Sequence, residues 1–132
     1  MPAGARVLLV EDDRAIRESM VEALSDEGYE ATSAVDGLDA LDQLNRADLL
    51  PQVIVLDLMM PRMSGPELAA ELEKSKRLSP IPIVVVSADS RVQAKAESMK
   101  VAAWLKKPVK LDELFQALTR VMRDAPAGHA DV

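Results

Sequence analysis

Short apolar runs alternate along the chain with segments whose apolar residues recur every three or four positions. Three runs, at residues 7–10, 53–56 and 81–86, are continuous and rich in β-branched side chains. Such runs are typical of parallel strands that helices cover on both faces. Weaker strands are predicted at residues 29–34 and 102–105, which brings the predicted sheet to five strands.

The segments between the strands carry the periodicity of amphipathic helices. The first predicted helix ends at Gly28, a residue type favoured just past a helix end, and the second begins near Asp36. The third has the clearest start, because Ser64 and Glu67 have capping-box spacing and Pro66 lies in the first turn. The apolar positions that define the five helices are Ile16, Met20 and Leu24; Leu38, Leu41 and Leu44; Leu68 and Leu72; Val92, Ala96 and Met99; and Leu111, Leu114, Phe115, Leu118 and Met122.

The alternation of strands and helices predicts one α/β domain with a doubly wound parallel sheet, because crossovers between parallel strands are right-handed. For the strand order 2-1-3-4-5, ligands gather at the carboxyl ends of the strands, between strands 1 and 3. The polar residues that follow the strands at this edge are Glu11 and Asp12, Asp57, Ser87, and Lys106 and Lys107. The sequence therefore predicts that carboxylates, a hydroxyl and an ammonium converge at one edge of the sheet.

Composition narrows the function classes. The chain has 132 residues, enough for one domain, and aromatic residues make up only 2%, which leaves no stacking platform for single-stranded nucleic acid. The net charge of −6 argues against binding to a phosphate backbone, and the lack of cysteine excludes disulfides and thiolate zinc sites. No apolar run is long enough for a signal-peptide core or a membrane span. We therefore expect a cytoplasmic protein that contacts neither nucleic acid nor membrane directly.

The acidic residues at the predicted edge indicate a particular chemistry. Carboxylates within a few ångströms of one another repel, so they must take up protons or share a cation. Oxygen ligands without histidine or cysteine nearby favour Mg²⁺, with Mn²⁺ as the alternative. Asp57 is then a candidate nucleophile toward phosphorus, Lys107 could neutralise phosphoryl oxygens, and Ser87 could donate a hydrogen bond to one of them.

Four separated motifs resemble, in order and spacing, the receiver domain of two-component response regulators. They are LVEDD at residues 9–13, VLDLMMPRMSG at 55–65, VSA at 86–88, and Lys107-Pro108. Four motifs in register are far more specific than any one of them. The resemblance covers about residues 5–124, which we interpret as the domain, and residues 125–132 are expected to form a flexible C-terminal tail.

The resemblance implies a flavodoxin-like fold, with a five-stranded parallel sheet flanked by five helices. It also implies phosphoryl transfer to Asp57 from a sensor histidine kinase or a histidine phosphotransfer protein. Glu11 and Asp12 would hold Mg²⁺ together with Asp57 and the backbone carbonyl of Met59. The phosphorylated aspartate would then act as a signalling switch in a phosphorelay.

The same resemblance assigns Ser87 as the switch hydroxyl and Lys107 as the phosphoryl-binding lysine, and it implies a cis peptide bond between Lys107 and Pro108. Three positions depart from the family pattern. Trp104 stands where the family usually has a tyrosine or phenylalanine switch, so Trp104 is a switch candidate. Lys100-Val101 replaces a frequent Gly-Ala, and Lys110 stands where a capping serine or aspartate is expected, which should weaken the last helix start by about 1 kcal/mol.

Three functions are compatible with these residues. The first is a stand-alone phosphorylation switch that binds a downstream protein through the face formed by helix 4, strand 5 and helix 5. The same face could serve a homodimer, and enzymatic character would be limited to self-phosphorylation and autodephosphorylation. The second is a phosphatase of the haloacid dehalogenase type, but Met59 stands where its acid/base aspartate is needed. The third is a constitutive protein-binding module, for which Trp104 and residues 100–101 are the only support.

Several other side chains have structural explanations. Asp13 is expected to cap the first helix from solvent, so it is left out of the ligand set. His129 lies in the predicted tail without partners nearby in sequence and is interpreted as inert. Core filling is the expected role of the methionines Met20, Met59, Met60 and Met99.

Overall fold

Five parallel strands form the centre of the protein, and helices lie on both faces of the sheet. The computed structural model describes residues 4–99 and 101–124. The strands are β1 (Arg6–Val10), β2 (Glu30–Ala34), β3 (Val53–Asp57), β4 (Ile83–Ser87) and β5 (Ala103–Lys106). The helices are α1 (Arg14–Asp26), α2 (Gly37–Arg46), α3 (Gly65–Glu73), α4 (Val92–Met99) and α5 (Leu111–Arg123). The strand order is β2-β1-β3-β4-β5, so the predicted flavodoxin-like fold is confirmed.

The register of the sheet brings the carboxyl ends of the strands to one edge. Val10 at the end of β1 pairs with Leu56 in β3, one residue before Asp57. Asp57 in turn pairs with Val86, one residue before the end of β4. Residues that follow these strands therefore emerge side by side, as the doubly wound topology requires.

The core consists of aliphatic layers on the two faces of the sheet, because side chains alternate between faces along each strand. In β1, for example, Val7 and Leu9 belong to one layer and Leu8 and Val10 to the other. The helical residues buried in these layers are Leu24, Leu114, Leu118 and Val121 from α1 and α5 on the first face, and Ala40, Leu44, Leu68, Leu72, Val92 and Ala96 from α2, α3 and α4 on the second.

Helix termini follow the local chemistry of the sequence. The Ser64 side chain accepts from the Glu67 amide while Glu67 accepts from the Ser64 amide, so the predicted capping box is confirmed. Asp13 caps α1, again as predicted. Gly28 has φ 104°, a conformation that glycine adopts readily after a helix end. At the start of α5, Lys110 supplies no side-chain cap, which agrees with the expected weak start.

Several local predictions were wrong. β4 begins at Ile83 rather than at residue 81, because the Ile81 amide donates to the Leu78 carbonyl and completes a turn. Three residues assigned to the apolar sides of their helices are exposed: Ile16 at 38%, Leu38 at 42% and Leu111 at 46%. The buried stripe of α2 passes instead through Ala40 and Leu44.

The prediction that Met59 fills the core was also wrong, since the residue is 63% exposed. It follows β3 in the loop beyond the carboxyl edge, where the helices no longer cover the chain. Met20, Met60 and Met99 are partly buried and pack against the core as expected. The predictions for Lys100, for His129 and for the tail at residues 125–132 lie outside the described residues.

Within the described ranges, the protein has no helix that is both long enough and apolar enough to cross a membrane.

Candidate functional site

Three carboxylates meet at the carboxyl edge of the sheet. Glu11 and Asp12 follow β1, and Asp57 is the last residue of β3. One carboxylate oxygen from each of the three residues lies within 4.8 Å of the others. Glu11 and Asp57 are buried, whereas Asp12 is exposed at the mouth of the cluster. The structure thus brings together the acids that the sequence predicted.

A lysine reaches this cluster from the far side of the sheet. Lys107 follows β5, and its Nζ donates to Glu11 Oε1 at 2.9 Å and to Asp57 Oδ2 at 3.1 Å. The peptide bond between Lys107 and Pro108 is cis, as expected. One cation therefore faces three carboxylates, so the cluster retains an excess of negative charge at its mouth.

The pKa values reflect this crowding. Burial is the largest influence on Glu11 and raises the pKa of its carboxyl; the charge of Asp57 acts in the same direction, against hydrogen bonds from Lys107 and the Asp13 amide. Burial lowers the pKa of Lys107, but its hydrogen bond to Glu11 and the charge of Asp57 outweigh burial and hold that pKa above its ordinary value. The lysine is accordingly charged. Its single positive charge is shared by Glu11 and Asp57.

The donor set of this cluster fits a hard divalent cation. Oxygen atoms from Glu11, Asp12 and Asp57 are close enough to share one ion, and the described residues place no imidazole or thiolate beside them. The exposed carboxylate of Asp12 gives such an ion access from solvent. The carbonyl of Met59, predicted as a further ligand, lies in the loop two residues beyond Asp57.

Backbone contacts hold the acidic loops in place. Asp57 Oδ1 accepts from the Met59 amide at 3.2 Å, and Glu11 Oε2 accepts from the Asp13 amide at 3.1 Å. Arg17 of α1 donates to the carbonyls of Glu11 and Asp12, at 2.9 and 3.3 Å. Sequence reasoning missed Arg17, although its place in the first turn of α1, four residues after the capping Asp13, was a usable signal.

Gly65 allows β3 and α3 to approach closely behind Asp57. A Cβ at Gly65 would lie 2.8 Å from the Asp57 carbonyl oxygen, and the Gly65 amide donates to the Leu58 carbonyl at 3.1 Å. Any larger residue would push against the backbone of the strand end. The glycine that follows the capping serine therefore serves the geometry of the site as well as the helix start.

Ser87 lies at the end of β4 and is completely buried. Its Oγ accepts from the Asp89 amide at 3.1 Å, and its carbonyl accepts from the Lys107 amide at 2.8 Å. Asp89, two residues further along the chain, accepts from Lys95 Nζ at 2.6 Å. The loop after β4 is thus linked both to the lysine of the site and to α4.

Trp104 lies in β5 at the edge of the sheet, away from the acidic cluster along the strand. It pairs in register with Val85 and is 38% exposed. Leu111, at the start of α5, is another large apolar residue exposed in this region. The structure therefore places the predicted switch residue on a surface and not in the core.

The fold and the edge cluster together define a class: a doubly wound α/β protein with an acidic, lysine-containing site at its topological switch point. The chain belongs to the response regulator receiver domain family, whose model matches residues 7–119. Receiver domains are phosphorylation-dependent signalling modules that bind Mg²⁺ at an acidic pocket, and the acidic group of this chain corresponds to such a pocket.

Individual relatives agree with this assignment. The chain is 38% identical over 120 residues to the response regulator MprA of Mycobacterium sp. strain KMS, a match that covers 89% of this chain and 50% of that protein. The chain therefore spans about half the length of the curated relatives it matches.

Solved structures show the same fold. The chemotaxis protein CheY4 of Vibrio cholerae is 30% identical, with a TM-score of 0.80 over 90% of this chain and 99% of that one. The receiver domain of the Francisella response regulator 1452 is 26% identical, with a TM-score of 0.82 over 93% and 100% of the two chains.

Proposed function

We propose that this protein is a phosphorylation switch that accepts a phosphoryl group on Asp57 from a sensor histidine kinase or a histidine phosphotransfer protein. The observation that carries the proposal is the contact of a buried carboxylate, Asp57, with the ammonium of Lys107 inside an acidic cluster. A buried aspartate at a strand end, held by a lysine and open to solvent through Asp12, is suited to meet an incoming phosphoryl group.

In the transfer step, a carboxylate oxygen of Asp57 forms a bond to phosphorus while the bond between phosphorus and the donor's histidine nitrogen breaks. The product is an acyl phosphate on Asp57. The donor histidine, whose other ring nitrogen carries a proton, takes the electron pair of the broken bond and leaves as neutral imidazole. Lys107 Nζ, already 3.1 Å from Asp57 Oδ2, is placed to bind a phosphoryl oxygen and offset its charge.

Glu11, Asp12, Asp57 and the Met59 carbonyl would hold Mg²⁺, with Mn²⁺ as a substitute. The bound ion supplies positive charge that reduces repulsion between the carboxylates and the incoming phosphoryl oxygens. Lys107 pairs with Glu11 and Asp57 but not with Asp12, so it neutralises only part of the cluster's negative charge. A second cation can therefore bind beside it.

The switch acts through Ser87. Its Oγ is an acceptor for the Asp89 amide, so its own proton is available to a phosphoryl oxygen. Movement of Ser87 toward Asp57 would pull the loop after β4, which Asp89 ties to Lys95 of α4. Phosphorylation would thereby favour a second packing of α4, β5 and α5.

The face formed by α4, β5 and α5 is the proposed output surface. Trp104 and Leu111 are exposed there and offer apolar area to a downstream protein or to a second copy of the chain. Trp104 would report the change in packing, whether or not it swings inward. In this proposal, covalent chemistry is limited to self-phosphorylation from a phosphodonor and autodephosphorylation.

Intact-mass measurement after incubation with acetyl phosphate tests the proposal. Wild-type protein should gain one phosphoryl group only when Mg²⁺ is present, and Asp57→Asn should gain none. Asp12→Asn should need far more Mg²⁺ than wild type, whereas Asp13→Asn, the same charge change at a helix cap, should behave as wild type. Labelling that persists in Asp57→Asn would contradict the proposal.

A further inference from the structure

One buried carboxylate, that of Asp36, lies outside the acidic cluster at the carboxyl edge. Besides the Tyr29 hydroxyl, the described residues have four buried polar or charged side chains: Glu11, Asp57, Ser87 and Asp36. The first three belong to the edge cluster. Asp36 precedes α2, and no contact joins it directly to the acids. A buried carboxylate is unfavourable unless it is paired, so its partners are informative.

Asp36 makes two kinds of contact. Its Oδ1 accepts from the Asp39 amide at 2.9 Å and caps α2, while its Oδ2 accepts from Arg62 Nε at 2.6 Å. Burial by itself raises the pKa of Asp36, but the hydrogen bonds from Arg62 and the Asp39 amide outweigh burial and hold that pKa below its ordinary value. Asp36 is therefore an ionised carboxylate whose second oxygen is committed to a distant loop.

That loop is strained at the point of contact. Arg62 has φ 67°, the only positive φ of a non-glycine residue in the described part of the chain. A bulky residue in this conformation is disfavoured, so the surroundings must hold it there. The Met63 amide donates to the Pro61 carbonyl at 2.8 Å and closes a tight turn around Arg62. The ion pair with Asp36 ties this turn to the start of α2.

A second contact lies beside the ion pair. The Gly37 amide donates to the Met63 carbonyl at 3.1 Å. A Cβ at Gly37 would lie 2.4 Å from that oxygen, so only glycine permits this approach. The start of α2 and the segment at residues 62–63 are therefore fitted together by one charged contact and one backbone contact.

The segment held in this way is the loop that leaves Asp57. Residues 58–64 connect β3 to α3, and Met59 within them donates its amide to Asp57 Oδ1. Gly65 fixes the far end of the loop through its bond to Leu58. Between these points, Asp36 and Arg62 supply the lateral support.

We propose that Asp36 and Arg62 are positioning residues of the phosphoacceptor site, because their ion pair fixes the loop at residues 58–64 against α2. This inference rests on the proposed role of Asp57. Neither residue touches the reacting atoms. Their contribution is to keep the Met59 carbonyl and the Asp57 carboxylate in the arrangement that suits Mg²⁺, in the manner of outer contacts that orient metal ligands.

Asp36→Asn tests the proposal, since asparagine keeps the capping oxygen and loses the charge. The matched control is Asp42→Asn, which makes the same change within α2 but breaks an exposed ion pair with Arg46. Calorimetric titration with Mg²⁺ should show about 10-fold weaker binding for Asp36→Asn and unchanged binding for Asp42→Asn. Phosphorylation by acetyl phosphate should slow at low Mg²⁺ and recover at saturating Mg²⁺.

Arg62→Gly is the second variant, because glycine accepts φ 67° without strain and should leave folding intact. It should show the same Mg²⁺ shift, and the Asp36→Asn, Arg62→Gly double variant should be no worse than either single one. Wild-type labelling together with equal Mg²⁺ affinities for Asp36→Asn and Asp42→Asn overturns the positioning role alone. A wild-type chain that gains no phosphoryl mass overturns both this role and the proposed function.

Discussion

Two strands deliver the contacting pair Asp57 and Lys107, and they do so from very different surroundings. Every residue of β3 is buried, and the strand lies between β1 and β4. β5 lies at the edge of the sheet, and its residues alternate between partly buried and exposed. We call residues 53–73 the β3 arm and residues 103–123 the β5 arm; each contains a strand, a loop at the carboxyl edge and a helix.

The helix starts repeat this contrast. In the β3 arm, Ser64 and Glu67 form a complete capping box. In the β5 arm, Lys110 offers no side-chain cap, and its positive charge lies at the unfavourable end of the helix dipole. Asp57 therefore lies on a fully buried strand, whereas Lys107 follows a partly exposed one, so we expect the β5 arm to repack more easily than the β3 arm. The proposed switch uses this division.

The largest expected effect is a difference between β3 and β5 in the stability lost when a leucine is truncated. Leu56→Ala in β3 should lower the free energy of unfolding by about 3 kcal/mol, because its side chain is completely buried. Leu105→Ala in β5 should lower it by no more than about half as much, since that residue is only partly buried. Urea unfolding measures both, with the exposed Leu49→Ala as a control. Equal losses at the two positions would remove the contrast.

Caps give the next largest effect, and its sign should differ between the arms. Ser64→Ala should destabilise the protein by about 1 kcal/mol, whereas Lys110→Ser should stabilise it by up to about 1 kcal/mol. Thermal unfolding of the two variants measures both changes in stability. An unchanged stability of Lys110→Ser would show that the amides in the first turn of α5 gain nothing from a side-chain cap.

Acid should weaken the support of the β3 arm. The pKa of Asp36 is lower in the folded protein than its ordinary value near 4, so folding favours its ionised form. Its contribution to stability is therefore present above about pH 4 and is lost as the pH falls through the lower, folded value. The difference between wild type and Asp36→Asn in urea midpoint should shrink progressively as the pH is lowered from about 4. A difference that stays constant as the pH falls would argue against the ion pair.

The smallest effect is expected at Trp104. Trp104→Phe should change the free energy of unfolding by about 0.5 kcal/mol or less, because the residue is exposed at a sheet edge. Acrylamide should quench the fluorescence of the wild-type tryptophan readily before phosphorylation. Strong protection from acrylamide in the unphosphorylated protein would contradict the exposed position.

Sequence patterns predicted the fold and the edge cluster because both depend on local signals. Apolar runs locate strands, and the residues that follow them, such as Glu11 and Asp57, fall at the carboxyl edge by topology alone. Periodicity could not tell that Leu38 lies beside the buried stripe of α2, since its spacing also fits a helix face. Met59 was misplaced because a pair of methionines after a strand does not reveal where the core ends.

These sequence patterns could not predict contacts between segments that are far apart in the chain. Asp36 and Arg62 are 26 residues apart in sequence. Each of them, taken alone, is a residue type that is common in turns. The strain at Arg62 is invisible without backbone angles. Arg17 was easier to predict, because it lies in the first turn of the helix that follows the acids, but its acceptors are backbone carbonyls that no motif encodes.

Hydrogen exchange with and without acetyl phosphate, in the presence of Mg²⁺, tests the division between the two arms most directly. Phosphorylation of wild-type protein should change exchange in the loop after β4 and throughout the β5 arm, while β3 and α3 exchange as before. Asp57→Asn should show no change in either arm. Equal changes in both arms, or an unchanged β5 arm in protein shown by mass to be phosphorylated, would contradict the account.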